Sequence, residues 1–177
     1  MNVSPSIVAE NEDVAAAPLP MLVAHDAWAN RQLFGALRDV HSFSAQPGAD
    51  LILLALDHIH VVRCIFQAHL QDIPHGFEAT QHAVRPSLEE LDREFEAIDR
   101  WYVDFTASLS PDQLVRPREV RFTDGKVVTM SPAAMILHAV THTIHHRGNV
   151  DAIMLQTGMA RRRDGIPEFL VSRASAT

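Results

Sequence analysis

Four stretches of the sequence repeat their apolar residues with the period of an α-helix, and this pattern limits the possible folds more than any other feature. A helix with one apolar face must bury that face against a neighbour, so four such stretches favour a helical bundle. We therefore predict an all-α fold, a four-helix bundle that occupies residues 18–177 as one domain. The stretches cover approximately residues 21–40, 50–70, 88–109 and 132–158.

Capping residues mark the ends of two of these helices. Ser87 is followed three residues later by Glu90, which is the pattern of a capping box and predicts the start of the third helix. Ser131 precedes Pro132, a residue that suits the first position of a helix, and Gly158 marks the end of the same helix. The boundaries of the third and fourth helices are therefore predicted from local signals.

The segments between the helices differ in character. Residues 71–86 contain prolines and a glycine without any period, which predicts a long crossover between the second and third helices. Residues 120–122 and 126–129 flank the pair Asp124-Gly125, a turn signal that predicts a small β-hairpin before the fourth helix. Residues 1–17 show no period, and we predict that they form a flexible N-terminal arm.

Composition excludes several classes of protein. The net charge of −7 argues against a nucleic-acid partner, because phosphates require a basic surface. The only cysteine, Cys64, permits no internal disulfide, which fits a reducing compartment. The apolar run at residues 51–56 is far too short to span a membrane. We expect a soluble, cytoplasmic protein that binds neither nucleic acid nor membranes.

The chain has eleven histidines, and most of them fall within residues 58–82 and 138–146. His142 and His146 are four residues apart, which places both imidazoles on one face of the fourth helix. Such a pair can be a solvent-exposed face or a buried core pair, but it can also chelate one ion. His58, on the apolar face of the second helix, could supply a third ligand. Three histidines and one open position are typical of a catalytic zinc site.

Other metal motifs are missing from the sequence. Thr143 stands where a zinc protease of the H-E-x-x-H type would have its glutamate. The paired Glu-x-x-His motifs of a di-iron bundle do not occur either. The site we predict is therefore mononuclear and rich in nitrogen ligands.

Three stretches resemble the DinB/YfiT-like metal-binding four-helix bundles. Residues 25–33 contain the Trp-Ala-Asn-x-x-Leu pattern of the first helix of that family. In residues 57–70, His58 is followed eight residues later by the aromatic Phe66, as in the second helix. Residues 138–148 are similar to the signature of the fourth helix, and the likeness extends from about residue 20 to 158.

The resemblance implies an up-down-down-up bundle and, frequently, a homodimer. It also implies a divalent metal, usually zinc or nickel, with His58, His142 and His146 as its ligands. Members of known activity are transferases or isomerases that use a low-molecular-weight thiol, so a small-molecule substrate is expected.

These considerations lead to one main functional hypothesis and two alternatives. The main hypothesis is a metal-dependent thiol S-transferase, because a metal holds a thiol as the nucleophilic thiolate. The first alternative is a metal-dependent hydrolase that activates water. The second is a non-catalytic bundle that binds metal or dimerises. Cys64 is predicted to be an inert core residue. Four further residues could hydrogen-bond to the ligands or move a proton: Asp57, His60, His145 and Asn30.

Overall fold

A computed structural model describes residues 18–175, so the predicted N-terminal arm at residues 1–17 lies outside the described residues. Within the described part the protein is predominantly helical, as predicted, and no helix there is long and apolar enough to cross a bilayer. Six α-helices and two strands follow in the order α1 (Pro18–Arg38), α2 (Ala49–Gln71), α3 (Leu88–Ser108), α4 (Pro111–Val115), β1 (Arg118–Arg121), β2 (Val127–Met130), α5 (Pro132–Gln156) and α6 (Ile166–Ala174).

The predicted helix boundaries are confirmed by the hydrogen bonds at the caps. The Ser87 hydroxyl accepts a bond from the backbone N–H of Glu90 at 3.2 Å, and the Glu90 carboxylate accepts one from the backbone N–H of Ser87 at 2.8 Å. The Ser131 hydroxyl accepts from the backbone N–H of Ala134 at the start of α5. Just beyond the end of α5, Gly158 has a φ of 76°, a conformation that favours glycine. Helix starts and stops are thus encoded locally.

Removing the cap at Ser87 tests this local encoding. We expect Ser87→Ala to lower the free energy of unfolding by about 1 kcal/mol, because the exposed N–H groups of the long helix α3 lose an acceptor. Ser110 caps the short helix α4 with the same geometry. Ser110→Ala should cost less, because α4 can fray without unfolding the rest. Urea denaturation of both variants checks the order, and a larger loss for Ser110→Ala would contradict it.

The predicted hairpin is present and packs on the helices. Strands β1 and β2 pair antiparallel, with Arg118 opposite Met130 and Arg121 opposite Val127. Val120 is completely buried and joins the apolar core, while Phe122 packs against its edge. Burial of these two side chains attaches the hairpin to the helices, which a two-stranded ribbon needs for stability.

The C-terminal helix α6 was not predicted from the sequence. Phe169 on this helix is buried, and its ring lies 5.7 Å from the ring of Trp28 and 5.6 Å from that of His25, both on α1. The segment is only nine residues long, so its apolar period is too brief to stand out. Pro167 and Glu168 in the first turn were the available signals.

The four long helices contact one another in a closed ring. Helix α1 packs against α3 and α5, and α2 packs against the same two helices. The apolar core inside this ring consists of two clusters. One contains Phe34 and Phe95, and the other contains Phe66 and Tyr102.

A layer of buried polar side chains lies between the two apolar clusters, and each long helix contributes to it. Its members are Asp26 and Asn30 of α1, Arg63 of α2, Asp99 of α3 and Arg147 of α5. Along α1, Val23 of one apolar cluster precedes these residues and Leu33 of the other follows them. Two carboxylates face two guanidinium groups, so charge within the layer is balanced.

The hydrogen bonds of this polar layer run continuously across the core. The Arg147 guanidinium donates to Asp26 and to Asn30, each at 2.8 Å. Asn30 in turn donates to Asp99 at 3.0 Å, and Asp99 pairs with Arg63 at 2.5 Å. Burial raises the pKa of Asp99 to about 6, against the opposing effect of Arg63. The Arg63 guanidinium favours the ionised carboxylate and so supports this chain of contacts.

Candidate metal centre

Three histidines from two helices meet on one side of the molecule. His58 lies on α2, and His142 and His146 lie one turn apart on α5. One nitrogen from each ring can be chosen so that all three lie within 4.8 Å of one another. The packing of α2 against α5 brings them together, and all three side chains are half-buried. The structure therefore groups the three residues that the sequence and the resemblance proposed as ligands.

The spacing of the nitrogens suits a small cation. Two imidazoles that bind one zinc ion tetrahedrally, with Zn–N distances of about 2.0–2.1 Å, place their nitrogens about 3.3 Å apart. The Nε2 atoms of His58 and His142 are 3.1 Å apart. The ring centroid of His146 is 4.7 Å from that of His58 and 4.4 Å from that of His142. One nitrogen of each ring therefore lies close enough to the other two to share a single ion.

The orientation of His58 is set by the crossover between α2 and α3. Its Nδ1 lies 3.0 Å from the backbone oxygen of Thr80, which can only accept a hydrogen bond. Nδ1 therefore donates to this oxygen, and Nε2 is the ring nitrogen that faces His142. Metal-binding histidines commonly donate their second nitrogen to a backbone carbonyl in this way. Among the described residues, His142 Nδ1 is buried without a hydrogen-bond partner.

The cluster favours uncharged imidazoles. Burial, together with the neighbouring His146 and His58, lowers the pKa of His142 to about 3. Burial also lowers the pKa of His146. Imidazole must be neutral to bind a metal, so at neutral pH protons do not compete for these two nitrogens. The donor set, its spacing and its protonation all fit a divalent ion.

A second contact attaches the crossover to α2 beside the cluster. The Asp57 carboxylate accepts hydrogen bonds from the backbone N–H of His82 at 3.1 Å and from its ring Nδ1 at 2.5 Å. Sequence reasoning proposed Asp57 as an accessory residue but assigned no role to His82. Because Asp57 precedes His58, the pair holds the crossover where Thr80 reaches the His58 ring.

The other residues proposed as accessory groups lie in different surroundings. His60 is on the far side of α2, with its Nε2 3.4 Å from Cys64 Sγ and its Nδ1 3.4 Å from a Glu94 oxygen. His145 is exposed and contacts the ring of His146 edge-on. Asn30 belongs to the buried polar layer. Of these three, only His145 touches a residue of the cluster.

Cys64 is not poised to react. Burial raises the pKa of its thiol to about 11, and burial also lowers the pKa of the adjacent His60 to about 4. A proton transfer from the thiol to this imidazole is therefore strongly unfavourable. The expectation of an inert cysteine fits this environment.

The fold and the histidine cluster together define the class of this protein. It is predominantly helical, and two of its long helices carry a candidate mononuclear metal centre. The sequence model of the DinB family matches residues 13–173, so the chain belongs to the DinB family. Protein DinB of Bacillus subtilis (strain 168) is 22% identical over 149 residues, which cover 78% of this chain and 86% of the relative. No solved structure gives a significant match. The resemblance drawn from the sequence is thereby confirmed.

Proposed function

We propose that the protein binds one divalent metal ion through His58, His142 and His146. With this ion it acts as a transferase that uses a low-molecular-weight thiol as the nucleophile. The observation that carries the proposal is the convergence of three imidazoles, with the Nε2 atoms of His58 and His142 only 3.1 Å apart. A divalent ion at this position supplies one chemical effect, which is to hold a thiol as its thiolate at neutral pH. Zinc and nickel are the metals implied by the resemblance.

Two features of the chain support an external thiol. The only cysteine has a raised pKa and lies against His60, outside the histidine cluster. In addition, His58 and His142 both line a cavity of about 180 Å³, so a small molecule could approach the cluster. The chain itself holds three imidazoles together and leaves the side that faces the cavity accessible. Thr80 fixes the ring of His58 in this arrangement.

An assay of thiol consumption tests the proposed activity. Protein loaded with zinc or nickel is offered a panel of low-molecular-weight thiols and electrophiles. We expect metal-dependent consumption of thiol that falls at least about 100-fold in His142→Ala, because a ligand is lost. His69→Ala is the matched control, since His69 lies on α2 beyond the cluster and contacts the backbone of Arg121. Metal-dependent ester hydrolysis without thiol consumption would support the hydrolase, and metal binding without turnover would support a non-catalytic bundle.

A second proposal concerns the arrangement of the four long helices. We propose an up-down-down-up four-helix bundle, which is supported by the closed ring of contacts and by the long crossover before α3. The homodimer, the cytoplasmic location and the absence of a nucleic-acid partner stay predictions from the sequence.

A further inference from the structure

The cavity beside the histidine cluster has an apolar lining. His58 and His142 border it on the side of the cluster. Val62 and Phe66 of α2 form part of its wall, and Phe122 at the turn of the hairpin forms another part. The cavity therefore lies where α2, α5 and the hairpin meet, directly adjacent to the candidate metal centre.

The lining contains no charged partner for an anion. No aspartate, glutamate, lysine or arginine is among the described residues that border the cavity. The polar groups of the lining come from Thr80, Thr123 and the histidines at 58, 138 and 142. Without a bound metal, no lysine or arginine there compensates a carboxylate for its lost hydration, so moving one from water into the cavity is costly. In the metal-free protein the cavity therefore favours uncharged groups over carboxylates.

The volume of the cavity fits a single ring. An apolar cavity of about 150 Å³ lined by aliphatic and aromatic side chains holds one benzene molecule, and this cavity has about 180 Å³. The rings of Phe66 and Phe122 stand edge-to-face with their centroids 6.1 Å apart. A third ring placed beside them gains the same type of aromatic contact.

We propose that this cavity binds an uncharged, ring-sized apolar group and thereby places the electrophilic substrate of the thiol transfer beside the histidine cluster. The role as a substrate pocket rests on the proposed function. The binding of the apolar group does not rest on the proposed function, because the walls come from α2, α5, the hairpin and Thr80 of the crossover and need no metal. Phe122 and Thr123, at the hairpin turn, are then residues that determine substrate size.

The binding step is tested first on metal-free protein. Benzyl alcohol and benzoate carry the same ring, but only benzoate is charged. Titration of each is followed by the methyl NMR signals of Val62 and Ile65, both of which line the cavity. We expect benzyl alcohol to shift both signals and benzoate to bind at least about tenfold more weakly. Equal affinities, or no shift at Val62 and Ile65, would overturn the proposal.

Two matched variants on the hairpin locate the binding. Thr123 borders the cavity, whereas Thr129 is exposed on β2 outside it. Thr123→Trp should weaken benzyl alcohol binding at least about tenfold by filling the cavity, and Thr129→Trp should leave it unchanged. Both variants place the same indole on the hairpin, so a general effect on its folding appears in both. Equal binding by the two variants would place the ligand elsewhere.

Paramagnetic relaxation tests whether the ligand in the cavity lies beside the metal centre, and its failure can be distinguished from a failure of the proposed function. In cobalt-loaded protein, the ring protons of bound benzyl alcohol should relax faster than in zinc-loaded protein, because the cavity adjoins the cluster. Equal relaxation rates in the two forms would overturn the placement beside the metal centre. A protein that binds neither metal while Val62 still responds to benzyl alcohol would contradict the proposed function and support the apolar cavity.

Discussion

Arg147→Met should lower the free energy of unfolding by about 3–5 kcal/mol, since it leaves a carboxylate buried without its cation. The side chains of Arg147 and Asp26 are only 5% and 2% exposed, and their contact is 2.8 Å. Asn30 loses a donor and Asp164 loses its partner in the same change. For a domain of this size, the melting temperature should fall by roughly 6–20 °C. Urea and thermal denaturation measure both quantities.

Two further variants show whether the buried charge is the cause. Arg162 pairs with Asp39 on the surface, so Arg162→Met should cost at most about 1 kcal/mol. Adding Asp26→Asn to Arg147→Met removes the uncompensated carboxylate and should restore part of the lost stability. Equal losses for Arg147→Met and Arg162→Met, or a further full loss on adding Asp26→Asn, would contradict the explanation.

Zinc at a thousandfold excess over its Kd should stabilise the wild-type protein by about 4 kcal/mol, because the three histidines converge only in the folded state. His142→Ala removes one of the three donors of the cluster and should abolish nearly all of this gain. Thermal unfolding with and without zinc measures the effect, and elemental analysis should find one metal ion per wild-type chain.

The control for the zinc experiment is again His69→Ala. This variant removes an imidazole from α2 without touching the cluster, so its zinc-dependent stabilisation should equal that of the wild type. If His142→Ala and His69→Ala gain the same stability from zinc, the ion binds somewhere other than the cluster.

The elements that could be predicted are those whose signals are local. The capping box at Ser87 and the turn at Asp124 and Gly125 act within a few residues, and the structure confirms α3 and the hairpin at these places. The pairing of His142 with His146 is equally local, because helix geometry alone places them together. Interactions between residues that are close in the chain can therefore be predicted from the sequence alone.

The buried polar layer could not be predicted in the same way. Arginine and aspartate are almost always exposed, so Arg63, Asp99 and Arg147 give no sign in sequence of being buried. Their partners come from other helices, and only the packing of all four long helices brings the charges together. Asn30 is an example of a residue whose partners could not be predicted from the sequence. Its sequence context resembled the family, yet its hydrogen bonds are made inside this layer.

The contact between the crossover and the histidine cluster could not be predicted either, because it also joins residues that are far apart in the chain. Thr80 and His82 lie in a segment without any period, and their partners Asp57 and His58 are more than twenty residues earlier. The contact of Thr80 is made by its backbone oxygen, which every residue type has. No feature of the side chain at position 80 could have indicated it.

Consecutive residues of α5 serve two unrelated networks, since His146 faces the histidine cluster and Arg147 the polar layer. An inserted residue would turn everything after it by about 100°, so both networks would lose a partner at once. During evolution this part of α5 can therefore exchange its other residues but not change its length. The hairpin turn at Phe122 and Thr123 belongs to neither network, because it borders the cavity and packs Phe122 against the apolar core. Substitutions that reshape the cavity without disturbing either network should therefore be tolerated at that turn.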